Sequence, residues 1–572
     1  MTAVDPPRTV GRGESGDVDP DDPVTGLGWL KRHSRAITTG AVVALGSTAA
    51  GSLVGAITAV DSPVAGVARQ VIDSVPQGVR KWAISTFGTD DKLVLGIGIV
   101  VILTVCASLI AHHATRRRWL VPAGIVVFTV VGLMAVKEVG PGELFAAGAS
   151  ALAAYVAFAV LVPFVGKPGP RLVPIPMRSV EFTTSPSDAG PAGQSTGEPD
   201  APVAEPMVIH RWEAPVDRRQ FVRRAGGLWA GTAVMAGVAG AINRADDRSV
   251  VAATAKFPKV RAGSPDAAPA PGPGATADPG VTPFVTPNGD FYRIDTAYVA
   301  PRVTLDDWRL TIHGAVDTPL SLTYDQLLDR HVVERYVTLC CVSNEVGGNL
   351  VGNAKFIGVP LAELLEEVGV RPEGTQVAMT SVDGWTCGFP TKLAMDGRDA
   401  IVAIGMNGEP LPIEHGFPVR LVVPGLYGYV SATKWLTDIE LVGLDDFDGY
   451  WIPRGWSKDG PVKTQSRIDV PSNGASVQAG KVAVAGIAFA QHRGIAKVEV
   501  RIDDGPWVEA RLADEYTIDT WRQWVLEWDA RRGSHTIAVR ATDDDGATQP
   551  AERTDVAPNG ATGHHTIEVE VA

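Results

Sequence analysis

The sequence predicts a multidomain chain in three parts. These are an N-terminal α-helical membrane domain, a central α+β domain and a C-terminal all-β sandwich of immunoglobulin type. Three observations lead there. The 572 residues are too many for one hydrophobic core. Long apolar runs are confined to the first half and account for a 45% hydrophobic fraction, high for a soluble protein. From residue 462 onward, short alternating stretches recur with turn signals every 8 to 15 residues or so, the pattern of a β-sandwich.

Residues 1–35 begin rich in Asp, Pro and Gly and are expected to be disordered. Residues 36–166 hold four apolar runs: Ala36 to Val60, Leu93 to Ala111, Trp119 to Val136 and Leu144 to Val165. Each is long enough to cross a hydrocarbon layer of about 30 Å as a helix. Residues 64–85 are mixed, with Arg69, Asp73, Arg80 and Lys81, and read as an amphipathic helix lying in the interface. Basic residues cluster before the first run (KRHSR, 31–35), between the second and third (Arg116 to Arg118) and after the fourth (Lys167, Arg171, Arg178). Positive loops stay inside, so the N-terminus is expected in the cytoplasm.

Residues 167–216, rich in Pro, Ser and Gly, read as a cytoplasmic linker. Residues 217–242 then carry DRRQFVRR before a fifth, Gly- and Ala-rich apolar run. Those arginines are either positive-inside anchors or a twin-arginine export signal, whose R-R-x-F-hydrophobic-basic pattern they resemble; the export reading is preferred. Five crossings place everything beyond residue 242 outside the cytoplasmic membrane. Residues 243–283, rich in Ala, Pro and Gly, are expected to be a tether there.

Residues 284–461 have the composition of a globular domain. LAELLEEV (361–368) is an amphipathic helix, and 401–406 and 419–423 are buried strands. The domain is organised around TLCCVSNEVGGN, where a β-rich run feeds a Cys-Cys pair and a Gly-Gly turn. A thiol at the end of a buried strand suits a metal ligand, although both cysteines also fit as small core residues. Cys106 and Cys387 read as packing. The four cysteines form neither a disulfide framework nor a CxxC pair. The net charge of −13 excludes a nucleic-acid partner, which needs a basic footprint. Around the thiols the sequence supplies Arg293 after the PNGD turn, His415 and Arg420 in EHGFPVR, and Ser431, Thr433 and Lys434 after a Gly-rich turn. Two guanidiniums, an imidazole and an ammonium suit an anionic cofactor and an oxyanion substrate.

These motifs, in this order, resemble those of the sulfite oxidase family of molybdopterin enzymes over residues 284–572. VTLCCVSN is similar to the strand that carries the family's molybdenum-ligating cysteine, which makes Cys341 the ligand. MNGEPLPIEHGFPVRLVVPG is similar to the segment whose His and Arg contact the pterin, here His415 and Arg420. SATKWL resembles the segment that binds the pterin phosphate, here Ser431, Thr433 and Lys434. FYR matches the segment whose arginine meets the substrate, which implies Arg293 with Tyr292 beside the cofactor. Asp383 corresponds to an acidic position near the cofactor. The resemblance implies a molybdenum–molybdopterin cofactor and oxygen-atom transfer on a small sulfur oxyanion such as sulfite. The chain departs from the family at Asp295, where Asn-His often follows the arginine, and at Trp451 and Trp456, where animal members keep a tyrosine. A sulfoxide reductase, of the protein methionine sulfoxide type, is the rival enzyme; a cofactor-free membrane adhesion or scaffold protein is the rival outside enzymes.

Residues 462–572 match the family's dimerisation domain, so a homodimer is expected. Trp521, Trp524 and Trp528 are expected in its core or interface. His33, His112 and His113 read as interfacial residues rather than haem ligands, so electrons are expected to pass to a separate carrier. Lipid surrounds the apolar helices.

Overall fold

The computed structural model describes most of residues 26–165, 218–245 and 253–572, with breaks at 59, 61, 77, 80–81, 83–85, 88–90, 136–139, 255 and 276–279. The start of the expected disordered N-terminus, the 167–216 linker and Asp217 lie outside the described residues. The chain divides into two compact units, residues 1–74 with 90–241, and 75–89 with 242–572.

In the first unit the helices are Gly26–Thr58, Pro63–Ser74, Asp91–Ala114, Leu120–Met134, Pro141–Leu161 and Arg218–Ala245. The first helix begins ten residues earlier than the expected membrane run and takes in KRHSR. Four segments, 33–58, 92–114, 141–164 and 219–242, are long and apolar enough to cross a membrane. The third expected run differs: it forms a helix of 15 residues, short of the ~20 a crossing needs. It starts only after the turn at Arg116–Arg118, and Pro122 fits within its first turn because the amides there have no helical partner. The amphipathic segment is helical over Pro63–Ser74, with Ala65 and Ala68 buried. The helices meet through small residues: a Cβ on Gly40 would lie 2.6 Å from the Thr104 carbonyl oxygen. Arg35 donates to the Phe164 carbonyl at 3.2 Å, and the Arg224 guanidinium lies 5.0 Å over the Phe164 ring.

The second unit opens with two sheets. One runs Leu320–Thr323, Arg309–Gly314, Leu436–Val442, Gln376–Ser381, Thr386–Pro390, with the second and third strands parallel and the rest antiparallel. The other runs Val333–Cys340, Val351–Pro360, Ile401–Met406, Glu409–Pro410, and Arg420–Val422 also pairs with Ile401–Met406. One core of Trp308, Leu310, Ile312, Phe356, Phe389 and Met406 joins them. The expected helix forms over Leu361–Val368 and stops at Gly369, whose φ of 66° is the left-handed cap that glycine supplies.

The C-terminal part is a sandwich. A four-stranded sheet (Gln465–Val470, Gly480–Phe489, Arg522–Ala530, Arg511–Leu512) faces a five-stranded one built on Lys497–Ile502, Gly533–Thr542 and His565–Val571. The alternating stretches form these strands, and Asp503 turns the chain at φ 52°. Trp524 is in its core and Trp521 is buried, while Trp528 is partly buried against that core.

Two features position the centre of this unit. First, described parts of the expected tether lie along it. Lys256 pairs with Asp325 at 2.8 Å, Ala253 is buried in the core, and the Asp266 carbonyl accepts the Glu334 amide at 2.7 Å. Composition could not reveal this, because much of the attachment is through backbone. Second, the strand Val333–Cys340 has a sheet partner on one edge, and the sandwich caps the other at Thr338. Its amide donates to the Asp519 carbonyl (3.0 Å), its carbonyl accepts from Gln491 (2.9 Å), and its hydroxyl accepts the Trp521 amide (2.8 Å) and contacts Asn353 Oδ1 at 3.0 Å.

Thr338→Val keeps the shape but strips a hydroxyl from two buried partners. It is expected to cost about 1–3 kcal/mol, read as an earlier denaturant midpoint for the full chain in detergent. An unchanged midpoint would contradict this reading of the capped edge.

Candidate active site

Strand alternation separates the two cysteines. Cys340, the last residue of Val333–Cys340, is 1% exposed in the apolar core, whereas Cys341 lies past the strand end and is partly exposed. A tight loop then fixes the second thiol. The Cys341 amide donates to the Leu350 carbonyl at 2.9 Å, and the Asn344 amide returns to the Cys341 carbonyl at 2.9 Å. Asn344 Oδ1 accepts the Leu350 amide at 2.8 Å. The Gly-Gly pair is required here: Gly347 has φ +78°, and a Cβ on Gly348 would sit 2.7 Å from Asn344 Oδ1. The sandwich holds this loop too, through Gln465 to Asn344 and Arg467 to the Gly348 carbonyl at 2.8 Å. Burial pushes the Cys341 thiol up, while hydrogen bonds from the Ser343 amide and side chain and the charge of Lys434 pull it back.

Arg420 opens a short strand and is 3% exposed. Its guanidinium donates to two carbonyls, His415 (3.2 Å) and Leu421 (3.5 Å), and lies 5.8 Å over the Phe356 ring. Among the described residues no carboxylate pairs with it. Burial draws its pKa down to about 10. An uncompensated buried cation is costly unless an anion arrives.

His415 is 5% exposed. Its Nε2 lies 2.9 Å from the Asn288 carbonyl, and because a carbonyl only accepts, Nε2 carries the proton. Nδ1 is buried with no partner. Burial first, then Lys434, lowers its pKa to about 4, leaving a neutral ring with a free acceptor. Asn288 is in turn held by Asn407, whose Nδ2 donates to Asn288 Oδ1 at 2.8 Å. Asn407 adopts φ +53°. Neither asparagine was assigned a site role from sequence. Their signal was the two Asn-Gly pairs, which also mark ordinary turns.

Lys434 is 11% exposed at its side chain and precedes Trp435, buried with φ +50°. Its ammonium donates to the Glu414 carbonyl (2.9 Å) and pairs with Asp295 (3.1 Å). Burial lowers its pKa to about 8, against the pull of Asp295. Arg293 Nε donates to the same Asp295 oxygen at 3.0 Å. Tyr292 stacks on Phe291 at 5.2 Å; burial raises its pKa well above the usual range, with the Cys341 thiol adding to the effect.

Three expected site residues are arranged differently. Ser431 is fully buried and donates to the Tyr427 carbonyl at 3.1 Å. Thr433 is fully buried against Cys387 Sγ (3.1 Å) and Met379 Sδ (3.7 Å). Asp383 accepts the Trp385 amide at 3.0 Å and caps a turn. The hydroxyls of Ser431 and Thr433 thus meet other parts of the protein, while Tyr292, Arg420, His415, Lys434 and Arg293 form one electrostatically coupled group beside Cys341.

The chain is similar to known proteins over its central and C-terminal parts. Residues 297–451 match the oxidoreductase molybdopterin-binding domain, and residues 465–539 match a bacterial Ig domain. The mitochondrial sulfite oxidase of Rattus norvegicus is 30% identical over 316 residues, covering 47% of this chain and 57% of that relative. An uncharacterised oxidoreductase of Bacillus subtilis, YuiH, is 32% identical over 153 residues, covering 27% of this chain and 74% of its own. Among solved structures, the sulfane dehydrogenase SoxCD of Paracoccus pantotrophus aligns with 51% of this chain and 82% of its own, at 25% identity and a TM-score of 0.46. The chain thus spans 57% of the length of the mammalian relatives it matches. It belongs to the sulfite oxidase family of molybdopterin oxidoreductases.

Proposed function

We propose that the chain is a membrane-anchored molybdenum oxidoreductase that transfers an oxygen atom to or from a small sulfur compound, with a sulfur oxyanion such as sulfite as its substrate. The observation that carries this reading is Arg420, a buried guanidinium with no carboxylate partner among the described residues, in one cluster of charges with Lys434, which in turn acts on the Cys341 thiol. It calls for an anion, and a pterin phosphate is one. His415 Nδ1 offers a buried acceptor to a ring N–H of the same ligand. A cofactor-free scaffold would leave both groups unexplained. Among the described residues no group of three or more His, Cys, Asp or Glu could hold a metal. One soft thiolate from Cys341, with the remaining ligands from the cofactor, fits molybdenum.

When bound, the cofactor supplies the oxygen-atom exchange and the two-electron chemistry. The chain's own residues bind and orient. Arg420, His415 and Lys434 hold the cofactor. Tyr292 flanks it, Ser431 and Thr433 fix the segment that carries Lys434, and Asp383 shapes the turn before Trp385. Arg293 Nη1 and Nη2 make no hydrogen bond among the described residues, so its outer edge is open to an oxyanion. The electrons leave to a separate carrier, and the sandwich is a surface for pairing two copies. A second reading, sulfoxide reduction, is favoured by Asp295, whose buried carboxylate offsets the charge of Arg293 and Lys434 and so weakens their pull on an anion.

Membrane anchoring is supported by the four apolar helices and by exposed Leu93, Ile102, Phe145 and Leu152 on them. The basic loops support a cytoplasmic N-terminus and an outward catalytic unit, with RRQFVR as the export signal.

Cys341→Ser, made in a cofactor-competent host, is expected to abolish sulfite-dependent dye reduction while pterin stays bound. Cys340→Ala is expected to keep turnover and cost about 1 kcal/mol of stability. Turnover retained in the first variant would overturn the ligand assignment. For the anchor, the chain is expected to resist alkaline extraction from membranes, and protease added to spheroplasts should remove the catalytic unit. Extraction by alkali, or full protection from protease, would count against this placement.

A further inference from the structure

One carboxylate oxygen of Asp295 binds two cations at once: Arg293 Nε at 3.0 Å and Lys434 Nζ at 3.1 Å. The Asp295 side chain is 6% exposed, Lys434 11% and Arg293 31%. The carboxylate is therefore sealed behind the two cations, and its charge is poorly screened by solvent. Two positive groups meet at this carboxylate, which offsets one of the two charges. It does so without occupying the outer edge of Arg293.

We propose that Asp295 is a charge filter, reducing the field at the substrate arginine from two positive charges to one and so favouring a singly charged sulfur oxyanion over a doubly charged one. This rests on the reading of Arg293 as the substrate contact. Asp295 acts through its two partners and is a positioning residue, not a catalytic one. A carboxylate placed only to hold Arg293 in shape would affect ligands of every charge alike. A charge filter affects them in proportion to their charge.

The test uses unreactive probes on the full-length, cofactor-loaded protein, so it does not depend on turnover. The probes are sulfate, methanesulfonate and dimethyl sulfone, with two, one and no negative charges, and binding is measured by calorimetry. Asp295→Asn keeps a hydrogen-bond acceptor and drops the charge. It is expected to tighten binding by about threefold per probe charge: sulfate about tenfold, methanesulfonate about threefold, the sulfone unchanged. Asp295→Ser, also neutral but smaller, is expected to shift the series in the same direction and ratio, which keeps the test decisive if the first variant does not fold. Equal changes for all three probes, or none, would overturn the proposal. Failure of the wild-type protein to turn over sulfite or a sulfoxide would instead strike the proposed function and leave the charge series standing.

Discussion

The catalytic unit depends on a positive charge that the protein does not neutralise for itself. Arg420 is sealed beside Phe356 with carbonyl oxygens as its partners. Carbonyl dipoles offset a guanidinium only in part, and desolvation draws its pKa down to about 10. Lys434 and the neutral ring of His415 stand in the same field and respond in the same direction. Such a cluster is unfavourable in isolation and becomes favourable around an anion. Fold and site are thus linked: the sheets spend stability to keep cations buried, and an anionic ligand restores it.

The second element is rigidity around the thiol. Cys341 lies at the end of a strand whose free edge is closed by the sandwich domain at Thr338, and its loop is held by Gln465 and Arg467 from that same domain. An exposed strand edge would fray and let the thiol wander. The immunoglobulin-like domain thus has a role within one chain, independent of whether it also joins two copies.

Much of this was legible in the sequence. The CCVSN and EHGFPVR motifs bring their own local structure, and the chain brings His415, Arg420 and Lys434 into one cluster, with Lys434 acting on Cys341. Strand alternation turns Cys340 into the core and leaves Cys341 partly exposed, which a sequence shows only once the strand end is known. Other parts were not legible. Asn288, held by Asn407, orients His415 across 127 residues of chain, and both Asn-Gly pairs read as turns. Residues 256–275 look like a tether because they attach largely through carbonyls, which leave no side-chain pattern. Ser431 and Thr433 carry plausible hydroxyls, but the backbone turns both inward. Asp295 stood out as a departure from the family, yet only the shared carboxylate oxygen shows which two cations it joins.

The central claim is that Arg420 is kept buried and unpaired for an anionic cofactor. Its most direct test is the stability of Arg420→Met beside the wild type, each made with and without the capacity for pterin synthesis. The account predicts that, without cofactor, the methionine variant is the more stable by about 1–4 kcal/mol, because a buried uncompensated charge is gone. It also predicts that the variant recovers little pterin or molybdenum when the cofactor is supplied. A variant that is less stable without cofactor, yet loads it as fully as the wild type, would contradict the account.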